Sequence, residues 1–275
     1  MRGQSSYVTI DPRPATVRQS DGHVFEREDE LLEETPVSIV INGKAYAVMM
    51  VTPSDIEDFL FGFLFAESLI HDPANVLAWE IVESQNIYTI YVQLTESMAE
   101  RACERTRGVI GASSCGLCGA PHMDERLEVY EKITTKVVVS IDEIAEALKD
   151  MQSGQEINRR TGTAHAAILI EQSHRVVRED IGRHNAVDKV TGWAVRHAWK
   201  PADLRLLAVS SRLTFEIIHK AARLRVPIVA AISGVSGLAV RTAERAGITV
   251  AAYAREGRMT IYTHKDRIVR GRTKA

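Results

Sequence analysis

The chain has 275 residues, of which 45% are hydrophobic and 25% are charged, a composition ordinary for a globular protein with a sizeable core. Its formal net charge of -2 lacks the basic excess typical of nucleic-acid-binding proteins, so we predict no nucleic-acid partner. Three cysteines are too few for a disulfide scaffold, and the longest apolar stretch carries Glu67 and is too short to span a bilayer. These features favour a cytoplasmic protein without a membrane partner.

The first part of the chain predicts a polar lead-in followed by a small α+β lobe. Two β-branched runs flank Asn42-Gly43, the strongest short-range signal for a β-hairpin. A helix is predicted next, with Thr52 as its N-cap and Pro53 at its first position. A second hairpin and a further helix follow, and Cys103 in that helix is expected to have a packing role.

Strands and helices alternate in the second half of the chain. Ser140 and Glu143 form a capping box at the start of one predicted helix, and Ser236 and Gly247 bound another. Uninterrupted apolar strands between these helices imply an α/β class with a mostly parallel sheet covered on both faces. We divide the chain into a mobile N-terminal segment (1–34), an α+β lobe (35–107), a mobile cysteine loop (108–122) and an α/β domain (123–275).

The segment "GASSCGLCGA" places Cys115 and Cys118 two residues apart among small side chains. Structural zinc needs two further ligands, and no second CxxC or HxxxH pair occurs. Zinc deaminases pair PCxxC with HxE, whereas Ser114 precedes the first cysteine here and Ala167 stands in place of the glutamate in "TAHAA". Pro121 and the surrounding glycines also fit poorly with a thioredoxin-like dithiol. The residues alone leave a metal clasp, a redox dithiol and a sulfur carrier open.

Three other stretches concentrate polar groups where a ligand is expected. In "EDIGRHNAVDK" the pattern predicts a helix whose core face is Val187, Val190, Ala194 and His197, with Gly182 freeing the first N–H groups for an anion. "SSRLTFEIIHKA" follows an apolar strand and contains Ser211, Arg212 and an i,i+4 pair of Glu216 and Lys220. In "YAREGR", Arg255 and Arg258 are placed to clamp phosphate.

These stretches in this order resemble the formate dehydrogenase accessory sulfurtransferase family (FdhD). The resemblance covers about residues 33–268 and includes "SSCGLCG", "RTGTAHAA", "EDIGRHNAVDK", "SSRLTFEI" and "GITVAAYAREGRMTIYTH". It implies a cytidine-deaminase-like α/β fold and a homodimer. It also implies transfer of sulfur from a cysteine desulfurase to the molybdenum bis(guanine dinucleotide) cofactor of formate dehydrogenase, for which a guanine nucleotide is a possible mimic.

The resemblance also assigns roles to residues of this chain. Cys115 would hold the persulfide and Cys118 would assist, with no metal site. The stretch that matches the family's cofactor-contacting loop is Tyr253, Ala254, Arg255, Glu256, Gly257 and Arg258, and we add Arg183, His184, Ser211 and Arg212 as expected cofactor-binding residues. Glu256 departs from the Lys-Pro expected in this loop and would repel phosphate unless it is turned away.

Two functions of other classes remain open. A cofactor-binding chaperone would use the two cysteines as a metal clasp and would not need Cys115 for sulfur transfer. A dithiol redox protein would need Cys115 and Cys118 equally.

Overall fold

A computed structural model describes residues 9–85, 87–106, 131–172 and 174–271. Its helices are α1 (Ile56–Ala66), α2 (Glu96–Thr106), α3 (Ile141–Ser153), α4 (Glu156–Thr161), α5 (Arg183–Arg196), α6 (Phe215–Leu224) and α7 (Gly237–Ala246). Its strands are β1 (Ile10–Arg18), β2 (Val24–Leu32), β3 (Thr35–Ile41), β4 (Lys44–Val51), β5 (Val76–Ser84), β6 (Ile87–Leu94), β7 (Val139–Ser140), β8 (His165–Glu171), β9 (Arg175–Asp180), β10 (Leu204–Val209), β11 (Ile228–Ala231), β12 (Thr249–Arg255), β13 (Arg258–Ile261) and β14 (Ile268–Val269). Within this part of the chain, no helix combines the length and apolar character needed to cross a membrane.

Strands β1 and β2 form an antiparallel hairpin within the segment that the sequence predicted as a mobile lead-in. The prediction missed it because both faces of the hairpin are largely exposed, so no apolar alternation marks the strands. Polar contacts hold it instead: Thr16 donates to Glu26 at 2.6 Å, and Arg160 of α4 donates to Glu30 through Nε at 2.9 Å.

The predicted α+β lobe contains a four-stranded sheet in the order β4-β3-β6-β5. Asn42 and Gly43 both have positive φ, 45° and 78°, as a two-residue hairpin turn of type I′ requires, which confirms the predicted first hairpin. The second predicted hairpin is β5–β6. One face of the sheet is lined by Val37, Ile39 and Ile90, none of which is exposed, and this face packs on α1.

The second sheet has six strands in the order β13-β12-β11-β10-β8-β9, with helices against it, which confirms the α/β class. Parallel pairing is confined to β10–β11–β12, and β8, β9 and β13 pair with their neighbours in antiparallel fashion. Strand β9 therefore runs in the same direction as β10, because β8 is antiparallel to both. The carboxyl ends of β9, β10, β11 and β12 thus lie at one edge of the sheet.

Local capping signals in the α/β domain hold in the structure. Ser140 accepts from the N–H of Glu143 and donates its own N–H to the Glu143 carboxylate, which completes the predicted capping box. Ser236 caps α7, and Gly247 ends it with a φ of 73°.

The predicted cap of α1 is wrong. This helix begins at Ile56 after Asp55, which has a positive φ of 49° and makes no side-chain cap. Thr52 is instead fully buried against the α/β domain, where its backbone and side-chain groups bond to residues far along the chain. A contact across more than a hundred positions leaves no trace in the local pattern that suggested an N-cap.

The two lobes share one hydrophobic core across a close crossing of α1 and α5. A Cβ built on Gly192 would lie 1.7 Å from the carbonyl oxygen of Asp58, and one on Gly62 would lie 1.8 Å from that of Asp188. Only a glycine at each position lets the two backbones approach this closely. The predicted boundary between the lobes is therefore not a gap in the packing.

Candidate functional site

The predicted polar stretches meet at the carboxyl edge of the six-stranded sheet. Strand β9 ends at Asp180 just before α5, β10 ends at Val209 just before Ser210, and β12 ends at Arg255. At the same edge β8 begins at His165, where Ser210 donates its N–H to the carbonyl of Ala166 and accepts the N–H of Ala166 through Oγ at 2.9 Å. This is the edge at which open α/β sheets bind ligands.

Arg183 and Arg212 lie close enough to His165 at this edge for their charges to act on its ring, and we call the two arginines around His165 the cationic cluster. Burial lowers the pKa of His165, and the charges of Arg183 and Arg212 lower it further, against the opposing effect of Asp180. The Nε atom of Arg183 is buried and has no hydrogen-bond partner among the described residues. A buried guanidinium nitrogen is normally satisfied, so the cluster has a donor to offer an anion.

His184 lies beside this cluster in the second position of α5. Its Nε2 is 3.5 Å from the Thr214 hydroxyl and 3.8 Å from a carboxylate oxygen of Glu216. Burial lowers the pKa of His184 to about 4, and the positive charges of Lys220 and Arg183 contribute. His184 is therefore neutral at physiological pH and offers the site a hydrogen bond rather than a charge.

The predicted i,i+4 pair of Glu216 and Lys220 does not form within α6. Lys220 of α6 bonds to Asp188 of α5, and Glu216 of α6 faces the neutral ring of His184 on α5, so each side chain of the predicted pair has its partner on the other helix. Burial raises the pKa of Asp188 to about 6 although Lys220 opposes this shift. These contacts join α5 to α6 and do not use Nε of Arg183, which has no hydrogen-bond partner within the described part of the chain.

Substitution of His184 is expected to change the acid stability of the protein. Between pH 6.5 and 4 the unfolded imidazole takes up a proton while the folded one does not, so stability falls as the pH falls. At pH 5 this difference in His184 protonation lowers the free energy of unfolding by about 2 kcal/mol relative to its value above pH 7. His184→Gln should therefore lose less Tm than the wild type between pH 7.5 and pH 5 in thermal denaturation followed by circular dichroism.

The control for this comparison is His23→Gln, since His23 is exposed on the turn of the β1–β2 hairpin. The raised pKa of Asp188 has the opposite effect, because it favours the folded protein as the pH falls. Asp188 is present in every variant compared, so its contribution is the same in each. An equal loss of Tm in His184→Gln and the wild type would show that His184 is protonated normally in the folded protein.

Residues 253–258 form a tight hairpin between β12 and β13. Glu256 and Gly257 have positive φ, 52° and 70°, and Arg255 lies opposite Arg258. Both arginines and Glu256 are exposed. Tyr253 also has a positive φ, 54°, which is unusual for an aromatic residue and places its 45%-exposed ring beside Gly234. Its N–H donates to the carbonyl of Ser233 at 3.0 Å.

Some predicted binding residues are turned away from solvent. Ala254 is 1% exposed and packs in the core, and the Ser211 hydroxyl is buried and donates to the carbonyl of Arg212. Arg212 itself is exposed. His197, predicted on the core face of α5, is also exposed, because the helix ends at Arg196 and the His197 ring stacks on Trp193 at 4.4 Å.

Sequence reasoning missed His165 as a site residue. The stretch "RTGTAHAA" lacks the glutamate of a zinc deaminase at Ala167, and nothing else in its local pattern marks His165 as a binding residue. The position of His165 at the start of β8 is what brings it beside Arg183 and Arg212.

Cys115 and Cys118 lie outside the described residues, so their predicted roles stay predictions. Cys103 lies half-buried in α2, where Lys44 donates to its sulfur at 3.5 Å. Among the described residues, no three His, Cys, Asp or Glu side chains are grouped to hold a metal ion.

The fold and the site define an α/β protein with a cationic cluster at the carboxyl edge of its sheet. The sequence model of the FdhD/NarQ family matches residues 32–269, and the chain belongs to that family. A sulfur carrier protein FdhD from Agrobacterium fabrum is 37% identical over 94% of this chain and 96% of its own length. One from Bordetella petrii is 34% identical over 88% of this chain and 87% of its own.

The fold is also that of a solved structure. The crystal structure of a candidate formate dehydrogenase accessory protein from Desulfotalea psychrophila superposes with a TM-score of 0.75 at 24% identity. The match covers 95% of this chain and 100% of the other. At this identity the likeness extends to the fold alone.

Proposed function

We propose that this protein is a cytoplasmic sulfurtransferase that carries sulfur for the maturation of formate dehydrogenase. Cys115 accepts persulfide sulfur from a cysteine desulfurase and passes it to the molybdenum bis(guanine dinucleotide) cofactor, which is bound as a substrate. The observation that carries this proposal is the cationic cluster of Arg183 and Arg212 around His165 in a chain whose relatives are sulfur carrier proteins.

The width of the site fits an extended polyanion. Strand β12, which leads to Arg255, is two strands from β10 and four strands from β9, which precedes Arg183. At about 4.8 Å between neighbouring strands, the positive charges are spread over about 19 Å of the sheet edge. A cofactor with two nucleotide arms carries phosphates over such a span, and the exposed ring of Tyr253 offers an aromatic face beside them.

The loading step is a thiol exchange on sulfur. The Cys115 thiolate attacks the outer sulfur of the desulfurase persulfide, a new S–S bond forms, and the S–S bond of the donor breaks. The donor cysteine leaves as a thiolate, so electrons balance without an added oxidant. The reactive form is the thiolate, and cytoplasmic reducing conditions keep it free of disulfides.

Mass spectrometry of the protein after incubation with a cysteine desulfurase and cysteine tests this proposal. We expect a gain of one sulfur atom on the peptide that contains Cys115, and its loss on treatment with a reducing thiol. A Cys115 thiol that stays unmodified while the desulfurase is active would contradict the proposal.

We also propose that the protein acts as a homodimer through the outer face of the four-stranded sheet. The sheet pairings alternate Val48, Val82, Ile87 and Tyr91 onto this face, and their exposed fractions are 65%, 39%, 46% and 48%. Glu80 is the one charged residue among the outward positions of these strands in the described chain. The solvent face of an antiparallel sheet is usually polar, so a face with so much exposed apolar surface and a single charge favours an apolar protein partner.

A second copy of the same face meets this requirement. Glu80 lies on the edge strand β5, and a two-fold axis parallel to the strands would place the two Glu80 side chains at opposite edges of the interface. Like charges would then be separated by most of the width of the sheet.

Val48→Asp is expected to convert the dimer to a monomer, because it would bury a carboxylate in this interface. Light scattering coupled to size-exclusion chromatography measures the mass. Val24→Asp is the matched control, since Val24 is also a strand valine, is 50% exposed and lies in β2, which belongs to a different sheet. A monomeric wild type, or a Val48→Asp variant that remains a dimer, would rule out this interface.

A further inference from the structure

The N–H, the hydroxyl and the carbonyl of Thr52 each bond to a residue in one segment of the other lobe, residues 180–189. Thr52 follows β4 and is fully buried. Its N–H donates to Oδ2 of Asp180 at 3.1 Å, its hydroxyl accepts the N–H of Ile181 at 3.0 Å, and its carbonyl accepts from Nζ of Lys189 at 3.0 Å. A single residue of the α+β lobe thus contacts the last residue of β9, the turn that follows it and the middle of α5.

Asp180 and Lys189 form the buried ion pair at the centre of this contact. Their side chains are 0% exposed, and Nζ of Lys189 is 2.8 Å from Oδ2 of Asp180. The other oxygen of Asp180 accepts the N–H of Gly182 at 2.8 Å and the side-chain amide of Asn185 at 3.0 Å. Lys189 donates as well to the carbonyl of Glu179 at 3.0 Å. The buried pair therefore holds the end of β9, the turn and the start of α5 together through hydrogen bonds.

The turn leads directly into Arg183 and His184, the first residues of α5. We propose that Thr52, Asp180 and Lys189 are positioning residues, which hold these two side chains toward the anion at the edge of the sheet. This inference rests on the proposed function for the identity of the anion. The positioning itself comes from the hydrogen bonds of Thr52 between the lobes.

Stability alone is a poor explanation of this arrangement. A buried ion pair costs desolvation energy, and well-packed apolar residues often replace one without loss of stability. Apolar residues could not accept directional hydrogen bonds. The carboxylate of Asp180 accepts from the N–H of Gly182 and the side-chain amide of Asn185 and so fixes the orientation of both groups. Asn185 donates in turn to the carbonyl of Met50, a second link to the other lobe.

The test is Thr52→Val, which keeps the shape of the side chain and removes the acceptor for Ile181. Isothermal titration with guanosine diphosphate is expected to show about tenfold weaker binding, as for the loss of one well-placed hydrogen bond. Thr52→Ser restores the acceptor and should bind within about twofold of the wild type. Ser140→Ala is the matched control, because Ser140 is also fully buried and also accepts one backbone N–H, but lies at the start of α3.

Amide hydrogen exchange gives a second readout that needs no ligand. Thr52→Val should raise exchange in a peptide covering residues 181–187, and Ser140→Ala should not. Unchanged exchange there, or a loss of nucleotide affinity in Ser140→Ala as large as in Thr52→Val, would overturn the positioning role. If the wild type binds no guanosine diphosphate, the nucleotide part of the proposed function fails, and the exchange result alone decides whether Thr52 orders the turn.

Discussion

A Cys115→Ala variant is expected to leave formate dehydrogenase inactive in cells that make it as their sole copy of this protein. The thiolate is the group that attacks the donor persulfide, and alanine has no atom to hold the transferred sulfur. The loss should be complete, since the two remaining cysteines do not occupy that position in the chain. Formate oxidation in cell extracts, with the amount of formate dehydrogenase measured in parallel, gives the result.

Cys103→Ser is the control for this experiment. Cys103 lies in α2, and serine there preserves a hydrogen-bonding partner for Lys44 while removing a thiol from the chain. Its activity should match that of the wild type. Retained activity in Cys115→Ala would contradict the carrier proposal and favour a chaperone that only holds the cofactor.

Cys118→Ala separates the carrier from a dithiol redox protein. A carrier with one loaded thiol retains part of its activity without Cys118, whereas a disulfide cycle loses all of it. Equal loss in Cys115→Ala and Cys118→Ala, together with a disulfide between them in the wild type, would favour the redox function.

Gly192→Ala is expected to destabilise the folded protein more than a glycine-to-alanine substitution at any other described helical position. The new Cβ would lie 1.7 Å from the carbonyl oxygen of Asp58 and 2.6 Å from the amide nitrogen of Gly62. Both contacts are with backbone, so α1 and α5 must move apart and their shared core must loosen. Overpacking costs about 1–3 kcal/mol where side chains yield, and we expect at least about 3 kcal/mol here.

Thermal and urea denaturation measure this effect, with Gly237→Ala as the control. Gly237 is also helical, but a Cβ there would meet only the flexible end of Arg241 at 3.4 Å. Alanine has the higher helix propensity, so this variant should keep or slightly raise the Tm. A Gly192→Ala protein with the stability of the wild type would mean that the two helices cross less closely than described.

Much of the fold could be predicted because its signals are local. The turn at Asn42-Gly43 and the boundaries set by Ser140 and Ser236 each depend on residues within four positions. The meeting of the polar stretches at one edge also follows from the strand directions, since strands joined by crossover helices present their carboxyl ends together.

The contacts between elements could not be predicted in the same way. The spacing of Glu216 and Lys220 indicates a pair within one helix, but both side chains find partners on α5. Thr52 has the sequence context of a helix cap and is used between lobes instead. A spacing in the sequence shows which groups are neighbours on a helix, but the partner that each prefers depends on which other helix is packed beside it.

The shared core of the two lobes limits how the protein can move. Opening a hinge between them would separate the glycine crossing of α1 and α5 and uncover the carboxylate of Asp58, which is 3% exposed and bonded to both Arg178 and Arg196. It would also expose the ion pair of Asp180 and Lys189, which is fully buried when the lobes are packed together. The lobes should therefore unfold in a single cooperative transition, and we expect the proposed sulfur transfer to proceed without a hinge motion between them.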